Sequence, residues 1–250
     1  MISLEQRDGL TELSLKSPER RNALDRATLG SLVAALGDET GVSGALILSG
    51  SEGVFSAGAD LSELQGTTAD LGFDALLAEV VGAIERQPRL VVSVVEGPCM
   101  GAAVELALAC DICIASADAF FELPAVRLGI LYSPASIARL HATLPRQALT
   151  RLLLMGERLN AQTALQLGMV TMVASKETAL PAARDLARAV SSANSDAIDA
   201  TKQLLRALDR GERDLDRFEA DRIRLVASPS RRAALEAARV RRRGAGGEVR

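Results

Sequence analysis

Two short runs of small residues, about forty positions apart, carry the clearest chemical potential of this chain: Phe55-Ser56-Ala57-Gly58-Ala59-Asp60 and Gly101-Ala102-Ala103-Val104-Glu105. Gly and Ala at a strand end let a backbone N–H approach an atom that larger side chains would screen, and two such N–H groups can hold one oxygen while negative charge develops on it. Either run alone reads as tight packing between a helix and a strand. The pair reads as a site, because each is followed by a helix-start pattern. Val54 and Phe55 end an apolar strand, Asp60 and Glu63 open a helix, and Glu105 falls in the first turn of the helix opened by the second run. The N-terminus of that helix adds a partial positive charge for a developing anion. Asp60 reads as a helix cap. Glu105 reads either as a carboxylate favoured by the helix dipole or as an acid–base group.

Little else could carry side-chain chemistry. The single histidine, His141, lies in Ala138-Arg139-Leu140-His141 on an amphipathic helix well removed in sequence from both runs. That removes a Ser-His-Asp hydrolase and leaves carboxylates, the one tyrosine (Tyr132) or the backbone. Cys99, Cys110 and Cys113 are odd in number and set among apolar residues, the pattern of buried free thiols in a reducing compartment, so a cytoplasmic protein is expected. The Cys110-Asp111-Ile112-Cys113 spacing lacks the second cysteine pair or histidines of a zinc site, and neither metal nor redox chemistry is expected from it. With no Trp, one Tyr and five Phe, few aromatic faces exist on which bases could stack, and nucleic acid is not an expected partner. No apolar run approaches the roughly 20 residues of a membrane span, and Met1 to Leu10 is too charged for a secretion signal.

The elements that must position the two runs alternate in type. Ile2 to Leu15, Gly44 to Leu48, Leu90 to Val95, Cys110 to Ala115, Ala119 to Glu122 and Gly168 to Val173 have strand character. Thr28 to Leu36, Phe73 to Gln87, Pro145 to Met155 and Ala161 to Leu167 have helical spacing. From Leu180 onward the pattern is helical, with Pro181 at a helix start. A length of 250 residues at 48% hydrophobic suits one substantial α/β domain with an appendage: a core over 1–190 and a helical region over 191–250. Charge divides the chain in the same way. From Thr201 on there are fourteen Lys and Arg against eight Asp and Glu, although the whole chain carries −3. The basic ending around Arg241-Arg242-Arg243-Gly244-Ala245-Gly246-Gly247 reads as a solvated helix face with a frayed, disordered end, or else as a patch that attracts phosphates.

The stretches FSAGADLSEL and GPCMGAAVELALACDICIAS resemble the enoyl-CoA hydratase/isomerase, or crotonase, superfamily. Arg20-Arg21-Asn22-Ala23-Leu24 is similar to the N-terminal signature of that family, Phe121 to Gly129 to the strand and turn after the second run, and Leu159 to Val173 to a later segment. The likeness covers residues 2 to 175 in order. It implies a spiral of ββα units followed by a helical region that builds homotrimers, often paired into homohexamers. It also implies an acyl-CoA thioester substrate, no cofactor beyond the coenzyme A of that substrate, and a thioester carbonyl held by the amides of Ala59 and Ala102. Arg21, Ala23, Leu24, Ala57, Gly58, Asp60, Leu61 and Gly101 are the implied substrate contacts, and the basic ending would face coenzyme A phosphates. A polarised carbonyl makes the α-carbon acidic and the β-carbon of an enoyl group electrophilic, so hydration, isomerisation and decarboxylation share one enolate-like transition state.

The side chains that would choose among these reactions depart from the family pattern. Hydratases pair the counterpart of Glu105 with a second glutamate, which falls here on Ala125; isomerases use that position or one matching Ser133. Glu122, three residues earlier, points to the opposite face of an extended segment and is not expected to substitute. Leu128-Gly129-Ile130-Leu131-Tyr132-Ser133 is similar instead to methylmalonyl-CoA decarboxylase-like members, which have a tyrosine matching Tyr132 but a histidine where Ala59 stands. The expectation is therefore a lyase, hydratase or decarboxylase, with Glu105 as acid or base and Tyr132 orienting the substrate. A double-bond isomerase and an acyl-CoA carrier without turnover are the alternatives.

Overall fold

Four strand-then-helix repeats on a ββα plan build most of the first unit of the chain, with an irregular segment in place of the second strand in the second repeat. The computed structural model describes residues 1–37, 44–191 and 193–245, and divides into two units, Met1–Ser192 and Ala193–Arg250. The first repeat is the hairpin β1 (Ile2–Arg7) and β2 (Leu10–Leu15), followed by α1 (Arg26–Gly37). The second is β3 (Ala45–Ser49), an irregular segment, and α2 (Leu71–Arg86). The third is β4 (Val91–Val95), β5 (Pro98–Met100) and α3 (Ala102–Ala109), and the fourth β6 (Ile112–Ser116), β7 (Phe120–Glu122) and α4 (Pro134–Thr143). Then come α5 (Arg146–Leu149), β8 (Leu159–Asn160), α6 (Ala161–Gln166), β9 (Met172–Ala174) and α7 (Lys176–Ser191).

Both strands of the first repeat, the first strands of the other three and β9 assemble one six-stranded sheet in the order β1-β2-β3-β4-β6-β9, parallel from β2 onward. The second strands of the third and fourth repeats leave that sheet and form a small one, β5-β7-β8. This division positions the site. In the second repeat, Ser56 bridges to Cys99 of β5, and Ala59 in turn bridges to Leu24, so the first small-residue run continues the small sheet although it is too irregular to count as a strand. The expectation that Val54 and Phe55 close an apolar strand is thus corrected. β3 ends at Ser49, and Phe55, fully buried, belongs to this second layer, its N–H donating to Pro98 O.

The aliphatic composition accounts for the core. Leu13, Leu15, Leu24, Leu29, Leu46, Leu48, Phe55, Leu106 and Phe121 are fully buried between the sheets and helices. A second cluster, Ile47, Val92, Val94 and Ile114 against Ala179, Ala183 and Ala187, packs α7 on the opposite sheet face. Strands apolar on both faces are those of a parallel sheet covered on both sides.

Three sequence expectations need correction. Asp60 and Glu63 open a single 3-10 turn, Leu61–Glu63, and the long helix starts only at Leu71. The helix expected over Pro145 to Met155 is α5 followed by a wider turn over Thr150–Leu154, in which Met155 N–H reaches back five residues to Thr150 O. Pro181 does not start its helix. α7 begins at Lys176, where Ser175 and Thr178 exchange bonds with each other, and Pro181 sits in the second turn.

The second unit consists of α8 (Ser195–Asp209), α9 (Asp216–Ala227) and α10 (Pro229–Ala245). Asn194 caps α8 by accepting from Ala197 N–H, and Phe218 of α9 is the large buried side chain of the unit. The side chains of Arg241, Arg242 and Arg243, and everything from Gly246 on, lie outside the described residues, so the expected phosphate-attracting or frayed ending falls there as well.

Candidate functional site

The two small-residue runs meet. Glycine at position 58 has φ +88°, and a Cβ there would lie 2.5 Å from Met100 O; a Cβ on Gly101, at φ +54°, would lie 3.9 Å from Gly58 Cα. The backbone at Gly58 therefore passes where a side chain cannot fit, and both glycines take conformations that L residues rarely adopt.

Within the first run, the amides around Ala59 are committed. Ala57 N–H donates to Arg21 O, Gly58 N–H to Ser56 Oγ, and Asp60 N–H to Leu24 O, while Gly58 O accepts from Leu24 N–H. Successive amides of an extended chain point to opposite sides, so the bonds on either side of Ala59 turn its own N–H away from Leu24. That N–H has no partner among the described residues. In the second run, Met100 N–H donates to Ser56 O and Gly101 N–H to Glu122 O, whereas Ala102, the first residue of α3, presents an N–H with no partner among the described residues. Two uncommitted amides, one at a helix N-terminus and both beside a glycine pair in close approach, are the kind of donors that an oxyanion requires.

The neighbouring sequence candidates are distributed around these amides. Leu24 is fully buried and Ala23 nearly so; Leu24 and the Arg21 carbonyl hold the Ala57–Asp60 backbone, while Ala23 N–H bonds Arg20 O. Asp60 caps the 3-10 turn, accepting from Ser62 N–H and Oγ and from Arg20 at 2.9 Å. The Ser62 bonds, with Arg20 behind them, hold its carboxyl below the usual carboxylate range. Arg20 also pairs with Asp25 at 2.8 Å, which clamps the loop that carries Arg21. Arg21 and Leu61 are exposed, with Arg21 in the left-handed region at φ +53°.

Glu105 is the only charged residue of α3, a helix buried almost all round, and its side chain is 3% exposed. A lone buried carboxylate would be costly, and Arg139 of α4 compensates it, donating from Nη2 to Oε2 at 2.9 Å. The same nitrogen lies 3.3 Å from Ser136 Oγ, which bonds Ser133 Oγ at 2.8 Å, and Ser133 caps α4. Tyr132 directly precedes that cap. Its ring packs on the core, and its hydroxyl lies 3.6 Å from the place a Cβ on Gly101 would take, with no hydrogen-bond partner among the described residues. Burial first, then the nearby charges of Glu105 and Asp74, push its ionisation well above the ordinary phenol value, so it is a donor.

The two alternative carboxylate positions carry no acid or base. Ala125 is buried at the start of a 3-10 turn, and Ser133 is engaged in the α4 cap. Glu122 is buried with both oxygens occupied, by Arg127 at 2.6 Å and by Arg158 at 3.0 Å. Cys99, Cys110 and Cys113 are free and buried, and burial pushes the Cys113 thiol up to about 11; His141 is exposed on α4. No group of His, Cys, Asp or Glu suited to a metal occurs among the described residues. Sequence reading missed Arg139 and Asp74. The first gave no signal, but Asp74 stands on the stripe Leu77, Val81, Ile84 at helical spacing, where an apolar residue belongs.

Comparison with known proteins gives the family. A family model for enoyl-CoA hydratase/isomerase matches residues 5–236. A Mycobacterium bovis protein carrying the name "Probable enoyl-CoA hydratase echA6" is 34% identical over 191 residues, 75% of this chain and 76% of that one. The 2,3-dehydroadipyl-CoA hydratase of Escherichia coli is 32% identical over 82% of this chain and 81% of its own. A solved methylmalonyl-CoA decarboxylase, in complex with 2-nitronate-propionyl-CoA, superposes with a TM-score of 0.80 at 26% identity, covering 88% of this chain and 87% of that one.

Proposed function

The chain belongs to the enoyl-CoA hydratase/isomerase family and is an enzyme of the crotonase superfamily, and from that premise we propose that it is a lyase that holds an acyl-CoA carbonyl between the amides of Ala59 and Ala102. The observation that carries the reading is the pair of uncommitted N–H groups beside the Gly58–Gly101 approach. Negative charge moving onto the thioester oxygen meets two fixed donors and a helix N-terminus, which is where preorganised dipoles lower a barrier most. The enolate so favoured is common to water addition and to carbon dioxide loss.

Glu105 serves as acid or base through Oε1, the oxygen that Arg139 leaves open, and the Tyr132 hydroxyl orients the acyl group beside Gly101. The exposed Arg21 faces the coenzyme A part, the chemistry needs no further cofactor, and homotrimers, paired or not, are the working assembly. Three buried thiols suit the reducing cytoplasm.

A second reading, an acyl-CoA carrier without turnover, draws on Ala125 and on the Glu105–Arg139 ion pair, which together reduce the free acid–base groups of the site. Incubation with crotonyl-CoA, a 3-enoyl-CoA and methylmalonyl-CoA, followed by enoyl absorbance and carbon dioxide release, separates the readings. Turnover of the first or third supports the lyase. Turnover of the 3-enoyl-CoA alone assigns an isomerase, and tight binding with no turnover assigns the carrier.

A further inference from the structure

We propose that Asp74 is a catalytic residue, the proton carrier for the α-carbon of the bound thioester, supplying from α2 the carboxylate that Ala125 does not. The inference rests on the enolate reading above. Asp74 lies in the first turns of α2, three, seven and ten residues before Leu77, Val81 and Ile84, all buried, so it occupies the head of the core-facing stripe. That stripe and the first turn of α3, with Ala102 and Ala103, belong to one cluster, on which Tyr132 also packs. α2 packs directly on α3, the Tyr132 hydroxyl adjoins Gly101, and Asp74 and Glu105 are the carboxylates whose charges bear on that hydroxyl.

A census of the surrounding carboxylates singles Asp74 out. Asp60 is held by Ser62 and Arg20, Glu63 by Arg26, Asp70 by the N–H groups of Gln65 and Gly66, Glu105 by Arg139, and Glu122 by Arg127 and Arg158. Asp74, partly buried, has neither an ion pair nor a hydrogen bond among the described residues. Burial first, and then the Asp70 charge, raise its ionisation above the ordinary carboxyl range, the direction that suits a group alternating between acid and base near neutrality. Its place in the first turn of α2 suits a carboxylate through the helix dipole, but the dipole does not require that the carboxylate be half-buried and unpartnered on an otherwise apolar stripe.

The step is a single proton transfer. A proton leaves the Asp74 carboxyl and bonds the α-carbon of the enolate, the electron pair held on the thioester oxygen returns to remake the carbonyl, and Asp74 is left ionised. Water adding at the β-carbon, or bulk solvent, restores its proton. The same transfer run backwards removes an α-proton from a saturated acyl-CoA.

That reversal supplies the test. Wild type, Asp74→Asn and Asp74→Glu are incubated with butyryl-CoA in deuterium oxide, α-deuterium is followed by mass spectrometry, and butyryl-CoA affinity is measured by calorimetry alongside a thermal melt. The expected result is exchange slowed about 10²–10⁴-fold by Asp74→Asn, with affinity and melting unchanged, and partly recovered in Asp74→Glu. Exchange at the wild-type rate in Asp74→Asn, with wild-type exchange readily measured, overturns the role of Asp74 and leaves the enolate reading intact. A wild type that binds butyryl-CoA and never exchanges overturns both.

Discussion

The two halves of the site are held in opposite ways. The amides of Ala59 and Ala102 are fixed by backbone, through glycines at positive φ and through the hydrogen bonds of Ala57, Gly58, Asp60, Met100 and Gly101 N–H around them. Around them the chemistry falls to side chains, where Glu105 is tied to Arg139, position 125 is alanine, and Asp74 has no partner among the described residues. Backbone geometry depends on small residues and tight turns, so it survives many substitutions around it; a side-chain wall is rewritten by single changes. On the proposed function, the chain combines a general device for stabilising an enolate with its own arrangement of acids and bases.

Gly58→Ala is the most severe way to break the first half. The new methyl would stand 2.5 Å from Met100 O at a φ that L residues avoid, and displacing Ala59 is expected to lower turnover by about 10²–10³, the scale of losing one oxyanion donor. A near-normal kcat would show that the hole is not where the barrier is lowered. Arg139→Gln attacks the second half. It strands the buried Glu105 carboxylate and should destabilise the fold by about 3 kcal/mol, the low end for a broken buried pair because Arg139 is 28% exposed. The Glu105→Gln/Arg139→Gln double variant should recover most of that in chemical denaturation.

Acid sharpens the contrast, because the clamp beneath the hole is itself ionic. Burial opposes the charge on Asp25, but bonds from Thr28 and Arg20 outweigh it and hold its carboxyl at about 2, below the ordinary 3.8. A carboxyl depressed by folding stabilises above its unfolded value, so the contribution, about 2 kcal/mol, is complete above roughly pH 4 and is lost as pH falls toward 2. Asp25→Asn, which keeps an acceptor for Thr28 N–H, should be less stable than wild type at neutral pH and equal to it near pH 2. The smallest effect is expected from Tyr132→Phe. Removing one neutral hydrogen bond to substrate should lower kcat/KM by about fivefold, roughly 1 kcal/mol, with stability unchanged.

Sequence reading reached the first half of the site far better than the second. Gly58, Ala59, Gly101 and Ala102 are conspicuous because small residues at a strand end have few other uses, and the strands around them are apolar enough to mark themselves. Ion pairs formed across the fold leave no such mark. Arg139 is 34 residues from Glu105 in sequence, and its arginine looks like any other on an amphipathic helix. Asp74 was legible as a polar break in an apolar stripe, yet only the packing of α2 against α3 gives that break a direction. Pro181 misled because proline favours helix starts, whereas here a Ser175–Thr178 cap sets the boundary five residues earlier.

The central claim is most directly tested by isotope-edited infrared difference spectroscopy of butyryl-CoA labelled with carbon-13 at the thioester carbonyl and bound to the wild-type protein. Two amides directed at the oxygen should weaken the carbonyl bond and move its stretch to lower frequency than in free butyryl-CoA, with the shift reduced in Gly58→Ala. A bound carbonyl absorbing at the frequency of the free thioester would contradict the account.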